Sequence, residues 1–370
     1  MITARTDVVG SLLRPPWLLQ AREDVAAGRI TQAAFKASED HAVDEAVALQ
    51  EEAGLDLVTD GEMRRLSFQS QVPEAVEGFG AWDVNAFLWG EWHGDESVGD
   101  RSMARPADLG VVGTLRRKRH LCAEEFTYLR ARTTRTPKIT LPSPSLWANF
   151  WSAERSASAY PTLDSFLSDV VDIMRDDVAE LVRLGATYIQ IDAPHYPLLL
   201  DPHMRAFYEG QGWDLDQWLS QGIAMDNALM DGFGDLTFGF HLCRGNQGSR
   251  WLTTGGYDPL AQPIFSGIHA QRLLLEYDDE RSGAFDPLQY VPDDKMVVLG
   301  LVTTKTPRHE TVDELAARIR QAGAFVPLER LALSPQCGFG TSVVGNNVTV
   351  ADEKRKLKVI VDTARAVWGV

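Results

Sequence analysis

The sequence predicts an α/β protein built as a single (β/α)8 TIM barrel, with a long insertion between strands two and three. Three observations carry this. Short apolar runs recur along the chain, each with the length and composition of a buried parallel strand. Stretches with helical spacing lie between them. The 370 residues show no linker, internal repeat or low-complexity tract, so the whole of 1–370 reads as one domain.

The apolar runs are TDVVGS (6–11), LDLVTDGE (55–62), KITLPSP (138–144), TYIQIDAP (187–194), LTFGFHLC (236–243), RLLLEYD (272–278), MVVLGLV (296–302) and RLALSPQC (330–337). Helical patterns cover 35–54, ending on Gly54, and 163–186, with Gly185 as its stop. They cover also 312–324, ending near Gly323, and a closing segment, 352–368. The interval 63–137 is too long for one crossover and is read as an excursion over the barrel mouth. It holds Trp82, Trp89 and Trp92, a candidate hairpin at 110–118, a helix at 123–131 and a candidate mobile loop at 94–106.

A net charge of −16 makes nucleic acid or an anionic membrane surface a poor partner. No stretch approaches the ~20 apolar residues of a membrane span, and the start shows no signal-peptide pattern. The expectation is a cytoplasmic protein. Its three cysteines, Cys122, Cys243 and Cys337, are too few for a disulfide framework.

The tripeptide HLC occurs twice. His120 and Cys122 open a helix, where residues two apart point away from each other. His241 and Cys243 end a strand, where period two puts both side chains on one face. Strand C-terminal ends form the active rim of a barrel. Two further strand ends deliver Glu276 and Cys337 to that rim. A lone H-x-C is weak, but an imidazole, two thiolates and a carboxylate together suit tetrahedral Zn2+. Ligands from separate strands with one weaker carboxylate leave an exchangeable position. Such a zinc lowers the pKa of an incoming thiol and makes it a nucleophile, so the expected chemistry is alkyl transfer to a small thiol.

The ordered motifs VGS (9–11), DGE (60–62), Trp147 in PSPSLWANF, IQIDAP (189–194), HLC (241–243), LEYD (275–278) and SPQCG (334–338) resemble the cobalamin-independent methionine synthase family, in its C-terminal catalytic half. The short single-barrel members, which include epoxyalkane:coenzyme M transferase, are the most similar. The resemblance implies zinc on His241, Cys243, Glu276 and Cys337. It implies that Glu62 and Asp192 hold the amino group of homocysteine and that Gly10 and Ser11 contact its carboxylate. Arg14, Arg244 and Asn246 are rim candidates for an anionic group, with a structural hydrogen-bonding role as the alternative. Two departures concern the methyl donor. Ala193 stands in place of a glutamate, and Thr303 and Lys305 stand where the family carries an acid pair. His195 and Lys305 are the candidate replacement acids. The functional expectation is a zinc-dependent methyl or alkyl transferase acting on a homocysteine-like thiol. The alternative is a zinc enzyme that opens an epoxide with a thiol or cleaves a carbon–sulfur bond. Homo-oligomerisation stays open.

Overall fold

The computed structural model describes residues 2–210, 212 and 214–370. After an extended start, α1 (Pro16–Ala26) and α2 (Gln32–Ala53) lead to β1 (Leu57–Val58). The Thr31 side chain accepts from Ala34 N to cap α2, and Gly54 ends it at φ 94°, a left-handed turn that glycine adopts without a Cβ clash. Then come α3 (Gln71–Ala75), β2 (Val76–Phe79), β3 (Gly90–Trp92), β4 (Arg101–Met103), β5 (Val111–Arg117), α4 (Ala123–Arg132) and β6 (Thr136–Pro137). The next elements are β7 (Ile139–Pro142), α5 (Ala153–Ser156), α6 (Leu163–Arg183), β8 (Tyr188–Asp192), α7 (His195–Leu198), α8 (Pro202–Gly210) and α9 (Leu215–Met230). The chain continues through β9 (Thr237–Leu242), α10 (Asp258–Gly267), β10 (Arg272–Glu276), β11 (Met296–Val302), α11 (Val312–Ala322), β12 (Leu331–Pro335) and α12 (Val350–Trp368).

Six strands form one parallel sheet in the order β12-β11-β10-β9-β8-β7. Every residue of β7 to β12 is buried, which is why these strands read as unbroken apolar runs rather than alternating ones. The helices between them bury apolar stripes. In α6, a capping box between Thr162 and Ser165 starts the helix, and Leu167, Val170, Met174, Val178 and Leu181 face the core. The result is a mixed α/β fold with a parallel sheet. Among the described residues no helix is long and apolar enough to cross a membrane.

The first two expected strands are less regular than the sequence suggests. Residues 6–11 contribute one parallel bridge, Thr6 to Leu333, and 55–62 contribute only β1, which pairs with β6. The cause is side-chain competition for the backbone. Val8 N donates to Asp7 Oδ1 at 2.8 Å, and Thr59 N to Gln50 Oε1 at 2.9 Å. Asp7 is itself fixed by a fully buried network: Lys138 Nζ at 2.7 Å, Tyr188 OH at 2.7 Å and Arg272 Nη2 at 3.2 Å. Burial alone would raise the Asp7 carboxyl, but the Lys138 and Arg272 cations hold it below the usual carboxylate range.

The excursion also differs. Residues 110–118 form no hairpin of their own. They hold β5, which pairs antiparallel with the distant β2. The candidate mobile loop contains β4, paired antiparallel with β3. This ribbon is pinned to the strand-end loops: His93 N donates to Trp251 O at 2.7 Å, and Arg250 Nε to Gly99 O at 2.8 Å.

Candidate metal centre and cavity

His241, Cys243 and Cys337 come together at the C-terminal ends of β9 and β12. Their donor atoms all lie within 4.8 Å of one another, and all three residues are buried. Period two along β9 turns His241 and Cys243 to the same side, as the strand argument requires. His241 Nδ1 lies 3.2 Å from Leu274 O, which fixes the ring and leaves Nε2 buried with no hydrogen-bond partner. A buried imidazole nitrogen without a partner, facing two thiols, is the arrangement a soft divalent metal satisfies. Tetrahedral zinc bonds at about 2.0–2.3 Å need donors roughly 3–4 Å apart, so small side-chain rotations close this set on an ion. The thiols are unequal. Contact with Cys243, and then the charge of the neighbouring His241 ring, hold Cys337 well below an ordinary thiol, while the same contact with Cys337 and burial push Cys243 up.

Glu276 does not join these three. It is fully buried, with Oε2 accepting from Arg244 N at 2.6 Å and Oε1 from Lys305 Nζ at 3.1 Å and Arg281 Nη2 at 3.3 Å. Burial alone would raise its pKa, but Lys305, Arg281 and Arg244 outweigh this and hold it down to about 2. Nothing in the local sequence announces this cationic collar.

The three donors open on a cavity of about 100 Å3 that Glu62, Asp192, Ser11 and Asn246 also line. Glu62 is 2% exposed and sits at φ 54°, a left-handed conformation that costs a non-glycine residue roughly 1–3 kcal/mol. Its Oε1 accepts from Thr140 Oγ1 at 2.8 Å, Arg65 Nη1 lies 3.6 Å from that oxygen, and Oε2 has no partner. Asp192 Oδ1 accepts from Gln190 Nε2 at 2.6 Å. Burial pushes the Asp192 carboxyl up to about 7, against the opposing influence of His241. Gly10 lies so close that a Cβ there would meet Glu62 Oε1 at 2.6 Å, and Ser11 Oγ packs against Gly338 in the same way.

Arg14 and Arg244 are framework. Arg14 donates to the carbonyls of Arg65, Glu62, Gly340 and Ser342, so it holds the strained turn behind Glu62. Arg244 donates to the carbonyls of Gly255, Glu276 and Ser282, with its guanidinium 4.2 Å from the Tyr257 ring. Neither lines the cavity. Asn246 does, but its amide is engaged by Gly338 O, Thr304 and Asn346. Trp147 is buried against Phe79 and Phe150, and its neighbours Leu146, Asn149 and Phe150 face the cavity instead. His195 lies behind the wall, its Nε2 2.8 Å from Ser145 Oγ, and burial alone pushes it down to about 3. Lys305 faces a second pocket, shared with Asp278, Arg281 and Arg318. Neither expected replacement acid therefore reaches the cavity.

The side chains that sequence reading missed are aromatic. Phe87, Trp89 and Trp92, all from the excursion, form one wall with Phe150. Their only sequence signal was the cluster of tryptophans in the insertion. At the other HLC copy, Cys122 is buried with its sulfur 3.5 Å from Arg65 Nη2, and burial pushes its thiol well up.

The profile of the family described as "Cobalamin-independent synthase, Catalytic domain" matches residues 3–247 and 257–366. The chain belongs to that family. It is 34% identical over 368 residues to the uncharacterized protein YxjH of Bacillus subtilis, covering 98% of this chain and 94% of that one. It is 27% identical over 342 residues to a methionine synthase of Pyrococcus abyssi, covering 90% of this chain and 86% of its relative. A solved structure described as a vitamin-B12-independent methionine synthase from Listeria monocytogenes superposes with a TM-score of 0.73 at 26% identity, over 100% of this chain and 98% of that one. The chain thus shares its fold with a family member over its whole length.

Proposed function

We propose that this protein is a zinc-dependent methyl or alkyl transferase that activates a small, homocysteine-like thiol. The observation that carries this is the His241–Cys243–Cys337 cluster opening on a cavity that also holds two carboxylates. Bound there, zinc supplies a Lewis acid that lowers the pKa of a thiol to the neutral range. Glu62 and Asp192 bind the ammonium group of the acceptor, and the unpartnered Glu62 Oε2 is free to accept from it. Arg14 positions Glu62 by holding its carbonyl at 2.9 Å. Ser11 and the Gly10 backbone sit beside this pair, and the excursion aromatics exclude water. Glu276 is the exchangeable fourth ligand, kept ionised by its collar. The same reading closes the sheet into a barrel through 6–11 and 55–62, supported by Asp7 N to Leu333 O at 2.9 Å and Leu12 N to Gly61 O at 3.0 Å. It sets the 63–137 excursion over the mouth of a single domain.

A second reading, opening of an epoxide by the same thiol, is favoured by the apolar wall of Phe87, Trp89 and Phe150. X-ray absorption at the zinc edge, with and without homocysteine, tests the main one. Appearance of an additional sulfur neighbour on adding the thiol is the expected result. An unchanged spectrum at saturating homocysteine and at saturating simple alkanethiol rules out thiol activation at this centre.

A further inference from the structure

Away from the metal-ligand candidates, the charged side chains that line the cavity are carboxylates. Glu62 and Asp192 are both there, and no lysine or arginine lines it among the described residues. The nearest cations do not line it: Arg65 Nη1 lies 3.6 Å from Glu62 Oε1 but is buried against Glu125 and Thr140, Arg14 and Arg244 turn to backbone carbonyls, and Lys305 and Arg281 to Glu276 and the second pocket. Aromatic residues line it as well, Phe87, Trp89, Trp92 and Phe150 among them. Trp92 is held in place by its Nε1, which donates to Leu88 O at 2.7 Å. Phe87 and Phe150 pack with centroids 5.9 Å apart. An acidic cavity with aromatic walls attracts cations that carry methyl groups, through ring quadrupoles and unpaired carboxylate oxygens. It repels polyanions, which would enter without a counter-charge.

The supply of acid points the same way. A methyl group leaving an amine nitrogen needs that nitrogen protonated. Neither His195 nor Lys305 reaches the cavity to do so, and the two carboxyls that line it, Glu62 and Asp192, are taken by the acceptor's ammonium group in the reading above.

We propose that the alkyl donor of this site is an onium compound, a sulfonium or quaternary ammonium, seated against Phe87, Trp89, Trp92 and Phe150. This rests on the transferase reading above and names the substrate class it left open. The step balances without an acid. The thiolate sulfur attacks the methyl carbon and its lone pair forms the new carbon–sulfur bond. The old sulfur–carbon or nitrogen–carbon bond breaks with its electron pair returning to the donor heteroatom. A neutral sulfide or tertiary amine departs, and the thiol proton goes to solvent.

Calorimetry on the zinc-loaded enzyme, and on enzyme stripped of metal, compares choline with 3,3-dimethylbutan-1-ol, its neutral carbon isostere. Choline should bind at least about tenfold more tightly in both forms. Trp89→Leu and, separately, Phe87→Leu should remove most of that preference and leave the alcohol's affinity unchanged. Equal affinity for the two probes in the wild-type protein overturns the proposal, as does a preference that both variants retain. In turnover at fixed homocysteine, trimethylsulfonium should methylate the thiol faster than methyl-tetrahydrofolate triglutamate does, and the reverse order also overturns it. The binding arm needs neither zinc nor thiol. A charge preference without any zinc-edge response to thiols would therefore refute the transferase reading and leave the onium site standing. A zinc-edge response without a charge preference would do the opposite.

Discussion

Replacing Cys337 with serine should strip the protein of zinc, whereas replacing Cys122 should not. Cys337 is one of three donors within 4.8 Å of one another, and it is the thiol its neighbours hold nearest to thiolate. Zinc bound through four protein donors is worth roughly 10–16 kcal/mol at neutral pH, or about 3–4 kcal/mol per donor. Losing that share weakens binding about 100- to 1,000-fold. A serine hydroxyl does not replace it, because it stays protonated and is a harder ligand. Cys122 is buried beside Arg65 and Thr140 and belongs to no cluster of three or more metal-ligating side chains among the described residues. Its serine variant should keep about one zinc per chain. Competition with a chromophoric chelator, together with elemental analysis of the purified variants, gives both affinity and content. Cys243→Ser should behave as Cys337→Ser does. If Cys122→Ser loses zinc while Cys337→Ser retains it, the strand-end argument that separated the two HLC copies is wrong.

Other outcomes follow from the same coordinates. Glu276→Gln should keep its zinc, because His241, Cys243 and Cys337 remain, but lower thiol turnover by about 10–100-fold; loss of the metal would show that the carboxylate anchors it. Lys138→Met leaves the fully buried Asp7 short of one cation and should cost about 3–5 kcal/mol in urea unfolding, with much of this regained when Asp7→Asn is added. Glu353 is buried, and its carboxyl is pushed up to about 8 from an ordinary 4.5, by burial above all, while Leu13 N donates to it at 3.0 Å. Because the folded state holds this proton more tightly than the unfolded state, stability falls as pH rises from about 4.5 to about 8, by several kcal/mol at most. Glu353→Gln should flatten that slope and match the wild type near pH 5; an unchanged slope between pH 5 and pH 8 would remove Glu353 as its source.

The His241–Cys243–Cys337 cluster was legible because it obeys local rules. Buried parallel strands print themselves as apolar runs, and period two then orients His241 and Cys243 without further information. Cys337 follows from the same rule applied to another strand end. What stayed hidden depends on contacts distant in sequence. The first two runs look like strands, yet Asp7 and Gln50 take their backbone donors. Arg14 looked like a ligand for anions because nothing local shows that four carbonyls, two of them more than 300 residues away, converge on it. The lining supplied by Phe87, Trp89 and Trp92 is invisible for the same reason: it depends on long-range bonds, His93 N to Trp251 O and Arg250 Nε to Gly99 O among them.

The division of charge across Glu276 ties these features together. Lys305, Arg281 and Arg244 lie against its carboxylate, and Lys305 and Arg281 open on the second pocket rather than on the cavity. Cations placed there keep a carboxylate ionised beside the thiols without offering a partner to whatever enters the cavity. Had Lys305 stood in the cavity itself, it would have paired with Glu62 or Asp192 and closed the ammonium site, and it would have repelled a cationic donor. The acid pair that the resemblance leads one to expect stands here as Thr303 and Lys305, and Lys305 acts on Glu276 rather than on the donor. That exchange is tolerable only if the departing group needs no proton, which is the property an onium donor brings with it.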